Sequence, residues 1–288
     1  MPSLIDMRRR IRSVRSTQQI TKAMKMISAA RLRRAQERAF EARPYANLLQ
    51  EVLESLVARV ESPRHPLLVR RTEERIRVLV LSGDRGLCGA FNTNVIRATE
   101  RFLEEHRSQQ MELALIGRKA RDYFRRRTTS IHQEFVNIFS HLDFHHAREI
   151  SADVISSYAE SNTDAVYLIY NEFKSMLSQR VVVKRLLPLA GFQPPPERAA
   201  AFLKVDYIYE QPPQEIYDSL LPKYVEILTF RALLESAAAE HAARMTAMDS
   251  ATNNAGEMIE SLTLTMNRVR QATITKELIE VVSGAAVQ

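Results

Sequence analysis

Three groups of residues could carry chemistry, and each has an ordinary structural use as well. Gly83, Gly86 and Gly89 follow an apolar run. Glycines between a strand and a helix let backbone amides approach an anion, so this stretch could cradle a phosphate. Its spacing fits neither G-x-G-x-x-G nor G-x-x-x-x-G-K-[ST], and a tight turn needs the same glycines. Cys88 lies on that turn, where a helix N-terminus could activate its thiol as a nucleophile. No histidine is tied to it by spacing, and a small buried thiol serves packing equally well. His141, His145 and His146 have a spacing that could hold a metal on one helical face, yet only Asp143 and Glu149 are acidic nearby, so a solvated helix is the plainer expectation.

The chain carries a net charge of +7, and the excess is local. Between Met7 and Pro44 stand Arg8, Arg9, Arg10, Arg12, Arg15, Lys22, Lys25, Arg31, Arg33, Arg34, Arg38 and Arg43, against only Glu37 and Glu41. Such a run could bind nucleic acid. Aromatic residues are sparse there, with Phe40 and Tyr45 near its end, and neither helix-turn-helix nor zinc spacing is present. The single cysteine excludes an internal disulfide and any cysteine-rich metal site. The first residues lack the apolar core of a signal peptide, and no run of about 18 apolar residues could span a bilayer, so any membrane association is expected to go through partners.

These residues must be positioned by a few long elements. Pro2-Ser3 opens a helix expected to reach about Val60, broken at most near Pro44. Its apolar positions Leu4, Met7, Ile11 and Val14 are followed by Ile20, Met24 and Ile27, then by Tyr45, Leu49, Val52, Leu56 and Val60, which predicts a shift of phase. Pro212-Pro213 restarts the chain into a helix that leads to a second long helix, expected from about Pro222 to Gly284. Its seam runs in steps of three and four through Leu234, Ala238, His241, Met245, Met248, Thr252, Ala255, Ile259, Leu262, Met266, Val269 and Thr273, the spacing of a coiled coil. At the usual rise that helix is on the order of 90 Å long, so it needs a partner, and the first helix is the natural antiparallel mate. The last residues, Val281 to Gln288, have no charged side chain and are poorly matched to water.

Between the two helices, Ile76 to Ser82, Met111 to Ile116, Ile131 to Phe139, Asp164 to Glu172 and Val181 to Leu189 predict five strands. Helices are expected at about Asn92 to His106, Gly117 to Arg126 and Asp143 to Glu160, with a further short strand at Val205 to Glu210. Strands alternating with helices predict a Rossmann-like domain with a mostly parallel sheet, its last two strands forming an antiparallel edge hairpin. The expected fold is thus a mixture of α+β and α/β: a long antiparallel two-helix coiled coil from the N- and C-terminal helices plus this central domain. The expected divisions are residues 1–60 for the first coil helix, 61–209 for the α/β foot domain and 210–288 for the second coil helix.

Three blocks give the chain a close resemblance to the gamma subunits of F-type ATP synthases, of bacterial type. They are Ser16 to Met26 (STQQITKAMKM), Asp84 to Gly89 (DRGLCG), and a C-terminal set: Glu240 to Met248 (EHAARMTAM), Asn267 to Leu278 (NRVRQATITKEL) and Glu280 to Ala286 (EVVSGAA). The resemblance implies a non-catalytic central-stalk rotor that couples ion flow through a membrane c ring to conformational cycling of catalytic beta subunits, at the cytoplasmic face of the bacterial inner membrane. It implies alpha and beta subunits (three of each), an epsilon subunit and the c ring as partners, and with them no nucleic acid. No cofactor is expected on this chain, ATP, ADP and Mg being held by the alpha and beta subunits. By position in the matching blocks, Met24 and Lys25, with Arg244, Gln271 and Thr275 on the second helix, would meet the beta subunits, together with Arg8 and Arg9 of the basic run. Tyr207 and Glu210 would lie in the foot near the c ring and epsilon. Beside the resemblance, the absence of charge from Val281 onward suits Val281, Val282, Ala285, Ala286 and Val287 to an apolar tip turning in a bearing.

Overall fold

The structure, a computed structural model, describes residues 4–57, 65–127, 130–176, 178–189, 192 and 211–285. The elements in chain order are α1 (Leu4–Val57), β1 (Arg75–Leu81), α2 (Phe91–Glu105), β2 (Gln110–Ile116), α3 (Arg118–Phe124), β3 (Ser130–Phe135), α4 (Phe144–Ala159), β4 (Ala165–Phe173), β5 (Gln179–Leu187) and α5 (Pro213–Ala285). By contact they divide into two compact units, Ala30–Ala243 and Met1–Ala29 with Arg244–Gln288.

The larger unit is built on a five-stranded sheet of order β3-β2-β1-β4-β5. β1 pairs in parallel with β2 and β4, β2 in parallel with β3, and β5 runs antiparallel to β4 at the edge. Central strands buried on both faces must be apolar nearly throughout, which is why β1 reads RIRVLVL and β4 AVYLIYNEF. Side-chain alternation splits the core in two. Ile76, Val78 and Val80 meet Val95, Ile96 and Phe102 of α2 and Phe124 of α3 on one face. On the other face, Leu79 and Leu81 meet Ile150 and Val154 of α4, Leu53 and Leu56 of α1, and Tyr217, Leu221, Val225 and Leu233 of α5. The long terminal helices therefore cover one side of the sheet.

The last helix, α5, begins at Pro213 and runs through Pro222, and α1 runs unbroken through Pro44. A proline inside a helix costs about 3 kcal/mol. Here that cost is outweighed by flanking apolar packing: Leu49 and Leu53 beyond Pro44, and Leu221 and Val225 around Pro222, are core residues. The third strand ends at Phe135, short of the expected Phe139. Asn137 takes a left-handed φ of 64° and starts a 3-10 turn over Ile138–Ser140, while its amide donates to Asp84 Oδ1 at 2.9 Å. The expected strand from Val205 to Glu210 lies outside the described residues.

In the smaller unit, α1 and α5 pair antiparallel, Thr21 with Thr252 and Lys25 with Asp249. On α5 the predicted seam is the buried or half-buried face from Met245 to Thr273. On α1 the predicted phase shift is absent. Ile20 and Ile27 are 57% and 54% exposed, whereas Thr21 and Ser28 are 8% and 3% exposed. The covered positions continue at heptad spacing through Met7, Ile11, Val14, Gln18, Thr21, Lys25 and Ser28. In the larger unit the same frame runs on through Leu32, Ala35, Ala39, Ala42, Ala46, Leu49, Leu53 and Leu56, leaving Tyr45 and Val52 exposed. Small and polar residues win the seam because they let the helices approach closely, opposite Thr252, Ala255 and Gly256.

Candidate functional site

The glycine-bearing turn lies where an open parallel sheet would hold a nucleotide. Strand order reverses between β1 and β4, and ligands of doubly wound sheets bind in the crevice outside the strand ends at such a switch point. Here the crevice is filled from within. α5 brings Glu240 so close that a Cβ on Gly83 would lie 3.0 Å from the Glu240 Cδ, and Ala239 packs against Cys88 and Phe91. The Gly83 amide, one of the groups that could face a phosphate, donates instead to Asn92 Oδ1 at 2.8 Å. Asn171 Nδ2 donates to the Phe91 carbonyl at 3.3 Å and closes the β4 side. A phosphate would meet the Glu240 carboxylate here, so the crevice is a helix-docking socket.

Asp84 and Cys88 have structural work on this turn. Asp84 Oδ1 accepts from the amides of Arg118 and Asn137 at 3.0 and 2.9 Å, fixing the start of α3 and the end of β3 with one carboxylate. Cys88 is buried, and its Sγ accepts a contact from Asn92 Nδ2 at 3.1 Å. His146 closes the capping box of α4 by accepting from the Asp143 amide at 3.2 Å, while Asp143 accepts from Phe144 N. No group of three or more His, Cys, Asp or Glu side chains suited to a metal occurs among the described residues.

The helical pair of the smaller unit carries most of the residues singled out by the sequence. Arg8 and Arg9 are exposed on α1. Met24 is half-buried beside the seam, and Lys25 Nζ reaches Asp249 Oδ1 at 2.6 Å across it. That ion pair is nearly half exposed, so it contributes at most about 1 kcal/mol and helps mainly to fix register. Gln18 Nε2 donates to the Thr252 carbonyl at 3.4 Å, and Gly256 faces Gln18 at a distance that leaves little room for a side chain. Arg244 is buried, whereas Gln271 and Thr275 are exposed, one helical turn apart, with Thr275 Oγ1 donating to the Gln271 carbonyl at 2.9 Å. Val282 is 67% exposed. Side chains of Val281 and Ala285, together with all of Ala286, Val287, Tyr207 and Glu210, lie outside the described residues.

The structure adds residues that the sequence did not single out. Glu240 stood only inside a matching block, and its place against Gly83 depends on a contact between distant parts of the chain. Gln18, Thr21 and Thr252 form a polar ladder on the seam. The strict heptad was the one signal that could have found Gln18 and Thr21.

A Rossmann-like unit whose ligand crevice is occupied by its own helix, combined with a unit made only of a two-helix coil, defines a coiled-coil subunit. It does not have the open crevice of a nucleotide-binding α/β enzyme. Comparison with known proteins then names the family. The family model described as ATP synthase matches residues 3–287. The ATP synthase gamma chain of Solibacter usitatus is 56% identical over 99% of both chains, and that of Anaeromyxobacter sp. is 51% identical over the same shares. Among solved structures, a chain from the central stalk and c ring of the Tetrahymena thermophila mitochondrial ATP synthase is 28% identical with a TM-score of 0.62, covering 81% of this chain and 99% of that one. A chain of the Euglena gracilis enzyme shares the fold with a TM-score of 0.68 at 18% identity, over 99% of this chain and 94% of its own. The chain belongs to the ATP synthase gamma-chain family.

Proposed function

We propose that this chain turns as the central rotor of an F-type ATP synthase, inside a ring of three alpha and three beta subunits, with its foot on a membrane c ring beside epsilon. The coarse role follows from family membership: a rotor subunit of the central stalk that couples and does not catalyse. The observation that carries the finer assignment is the smaller unit. Its two helices bury one narrow seam and leave Ile20, Met26, Ile27, Met258, Leu264 and Ile274 outward. A two-helix rod with that much apolar surface is suited to an enclosing sleeve.

In this proposal Arg8, Arg9, Met24, Lys25, Arg244, Gln271 and Thr275 meet the beta subunits. The cationic face of α1 attracts acidic loops at long range, which tolerates changes of angle better than interdigitated packing does. An off-axis coil makes different contacts with three identical subunits, so each rotation step shifts their conformational equilibria by differential binding. Tyr207 and Glu210 belong to the foot, and Val281, Val282, Ala285, Ala286 and Val287 to the bearing. Among the described residues no helix is long and apolar enough to cross a membrane, and the proposed location is peripheral, at the cytoplasmic face of the inner membrane.

Co-expression with alpha and beta subunits tests the assignment. A stable complex is expected whose multisite ATPase activity depends on this chain; full activity without it would remove the coupling role. Deleting Val281 to Gln288 is expected to weaken torque or assembly while leaving the thermal transition of the α/β unit in place. Unchanged torque would make the bearing dispensable.

A further inference from the structure

Two cavities adjoin along the same flank of α1 in the larger unit, and they differ in chemistry. The first, about 340 Å³, is apolar: Ala39, Ala42 and Ala46 of α1 face Ile227 and Phe230 of α5, with Phe144 at the start of α4 standing edge-on to Phe230 at 5.4 Å. Its two charged lining residues are engaged with each other, Arg231 Nε to Glu235 Oε1 at 2.9 Å, and Tyr170 also donates to Glu235. The second, about 360 Å³, is cationic at its rim, where Arg31, Arg34 and Arg38 come from successive turns of α1; His141 and His241 line it from the facing elements. Among the described residues no carboxylate lines it. Leu234 lines both cavities, so they meet at one side chain.

Each half asks for a different part of one ligand. A cavity walled by alanines and aromatic edges gives its lining few contacts unless an apolar group fills it. Three guanidiniums within two turns of one helix repel one another, and an anion relieves that repulsion through charge-assisted hydrogen bonds. The Arg38 guanidinium is already oriented, since it donates to the Leu142 carbonyl in the cavity wall. From Arg38 to Ala46 the groove follows about 12 Å of helix, the reach of an extended alkyl chain rather than the width of a partner helix. Both volumes fall in the range of small-molecule sites.

We propose that this groove binds an anionic amphiphile, its carboxylate or phosphate head held by Arg31, Arg34 and Arg38 and its alkyl tail lying between Ala39, Ala42, Ala46 and Phe230. Every residue of the site belongs to the larger unit, so binding to the chain by itself tests the groove apart from the rotor assignment.

Calorimetric titration of the full chain with dodecanoate, dodecyl phosphate, dodecanol and inorganic phosphate tests it. Both charged amphiphiles are expected to bind, and their ratio tells a carboxylate from a phosphate head; dodecanol and inorganic phosphate each supply one half and should bind at least about tenfold more weakly. The double variant Arg31→Ala with Arg34→Ala alters exposed side chains and should weaken dodecanoate by about tenfold without changing dodecanol. Ala46→Leu, which fills the tail cavity, should weaken both tails, and a circular-dichroism melt reports whether each variant is folded. Dodecanoate binding no tighter than dodecanol, or unaffected by the arginine variant in a folded chain, overturns the proposal. That result is also the one expected if the groove is a seat for a partner polypeptide.

Discussion

The Thr21 and Thr252 hydroxyls lie 2.8 Å apart across the two long helices, at matched heptad positions of the antiparallel coil. Each hydroxyl also has a backbone acceptor in its own helix, Gln18 for Thr21 at 3.0 Å and Met248 for Thr252 at 2.7 Å. A hydroxyl has one proton to give, so one of the two must turn from its own helix to the other.

Thr21→Val alone is expected to destabilise the coil by about 1 kcal/mol, because it leaves Thr252 facing an apolar group. Thr21→Val with Thr252→Val removes both polar partners and should return most of that loss, at the expense of register. A double-mutant cycle on thermal melts measures the coupling. Additive single effects would show that the two hydroxyls do not interact.

Acid should act on the edge where β1 begins. Asp164 accepts from Arg75 Nη2 at 2.8 Å, from Nε at 3.1 Å and from the backbone amide at 2.9 Å. Hydrogen bonding from Arg75 holds its carboxyl below the ordinary 3.8 despite burial, which pushes the other way. A lowered folded value means that the stabilisation is fully present above the unfolded value of 3.8 and is lost as pH falls through the folded one. Asp164→Asn is expected to cost about 2 kcal/mol at neutral pH, a figure reduced because Arg75 is partly solvated. It should also flatten the loss of stability below about pH 4 in urea melts at stepped pH. An unchanged acid slope would assign that loss to other carboxylates.

Gly117 starts α3 at φ 97°, where only glycine is at ease, and a Cβ there would lie 2.0 Å from the Ser82 carbonyl oxygen. The same close approach lets Ser82 Oγ accept from the Ala120 amide at 2.9 Å and ties the ends of β1 and β2 together. Gly117→Ala is expected to cost more than about 3 kcal/mol and to lower soluble yield sharply, as read by urea unfolding of whatever chain is recovered. A mild effect would mean that the turn can shift as a body.

The parts of this fold legible in the sequence are those where a side chain's type matches its environment. β1, β2 and β4 are apolar because both of their faces are covered, and the seam of α5 from Met245 to Thr273 kept its spacing even with threonines in it. The phase of α1 departs from the expected one because Thr21 and Ser28, rather than Ile20 and Ile27, hold the seam. Close approach favours small residues, and hydropathy does not register closeness. Glu240 in the sheet crevice was hidden for a different reason: a charged side chain near the middle of a long helix gives no sign that a strand end far away in sequence will receive it. The same applies to the groove beside Arg31, Arg34 and Arg38, whose apolar half needs Phe144 and Phe230 from two other elements.

An uninterrupted heptad on both helices of the smaller unit makes their winding left-handed, because an α-helix must be slightly underwound to keep a seven-residue seam in line. Over residues 4–29 the pair extends about 39 Å, roughly a quarter of one supercoil turn. Such a pair behaves as a laid rope. Twisting it with its lay presses the strands together on Thr21, Ser28 and Ala255, while twisting it against its lay spreads them along the same line. The two senses of rotation therefore meet different stiffness, and a motor that runs in both directions would not be mechanically symmetric.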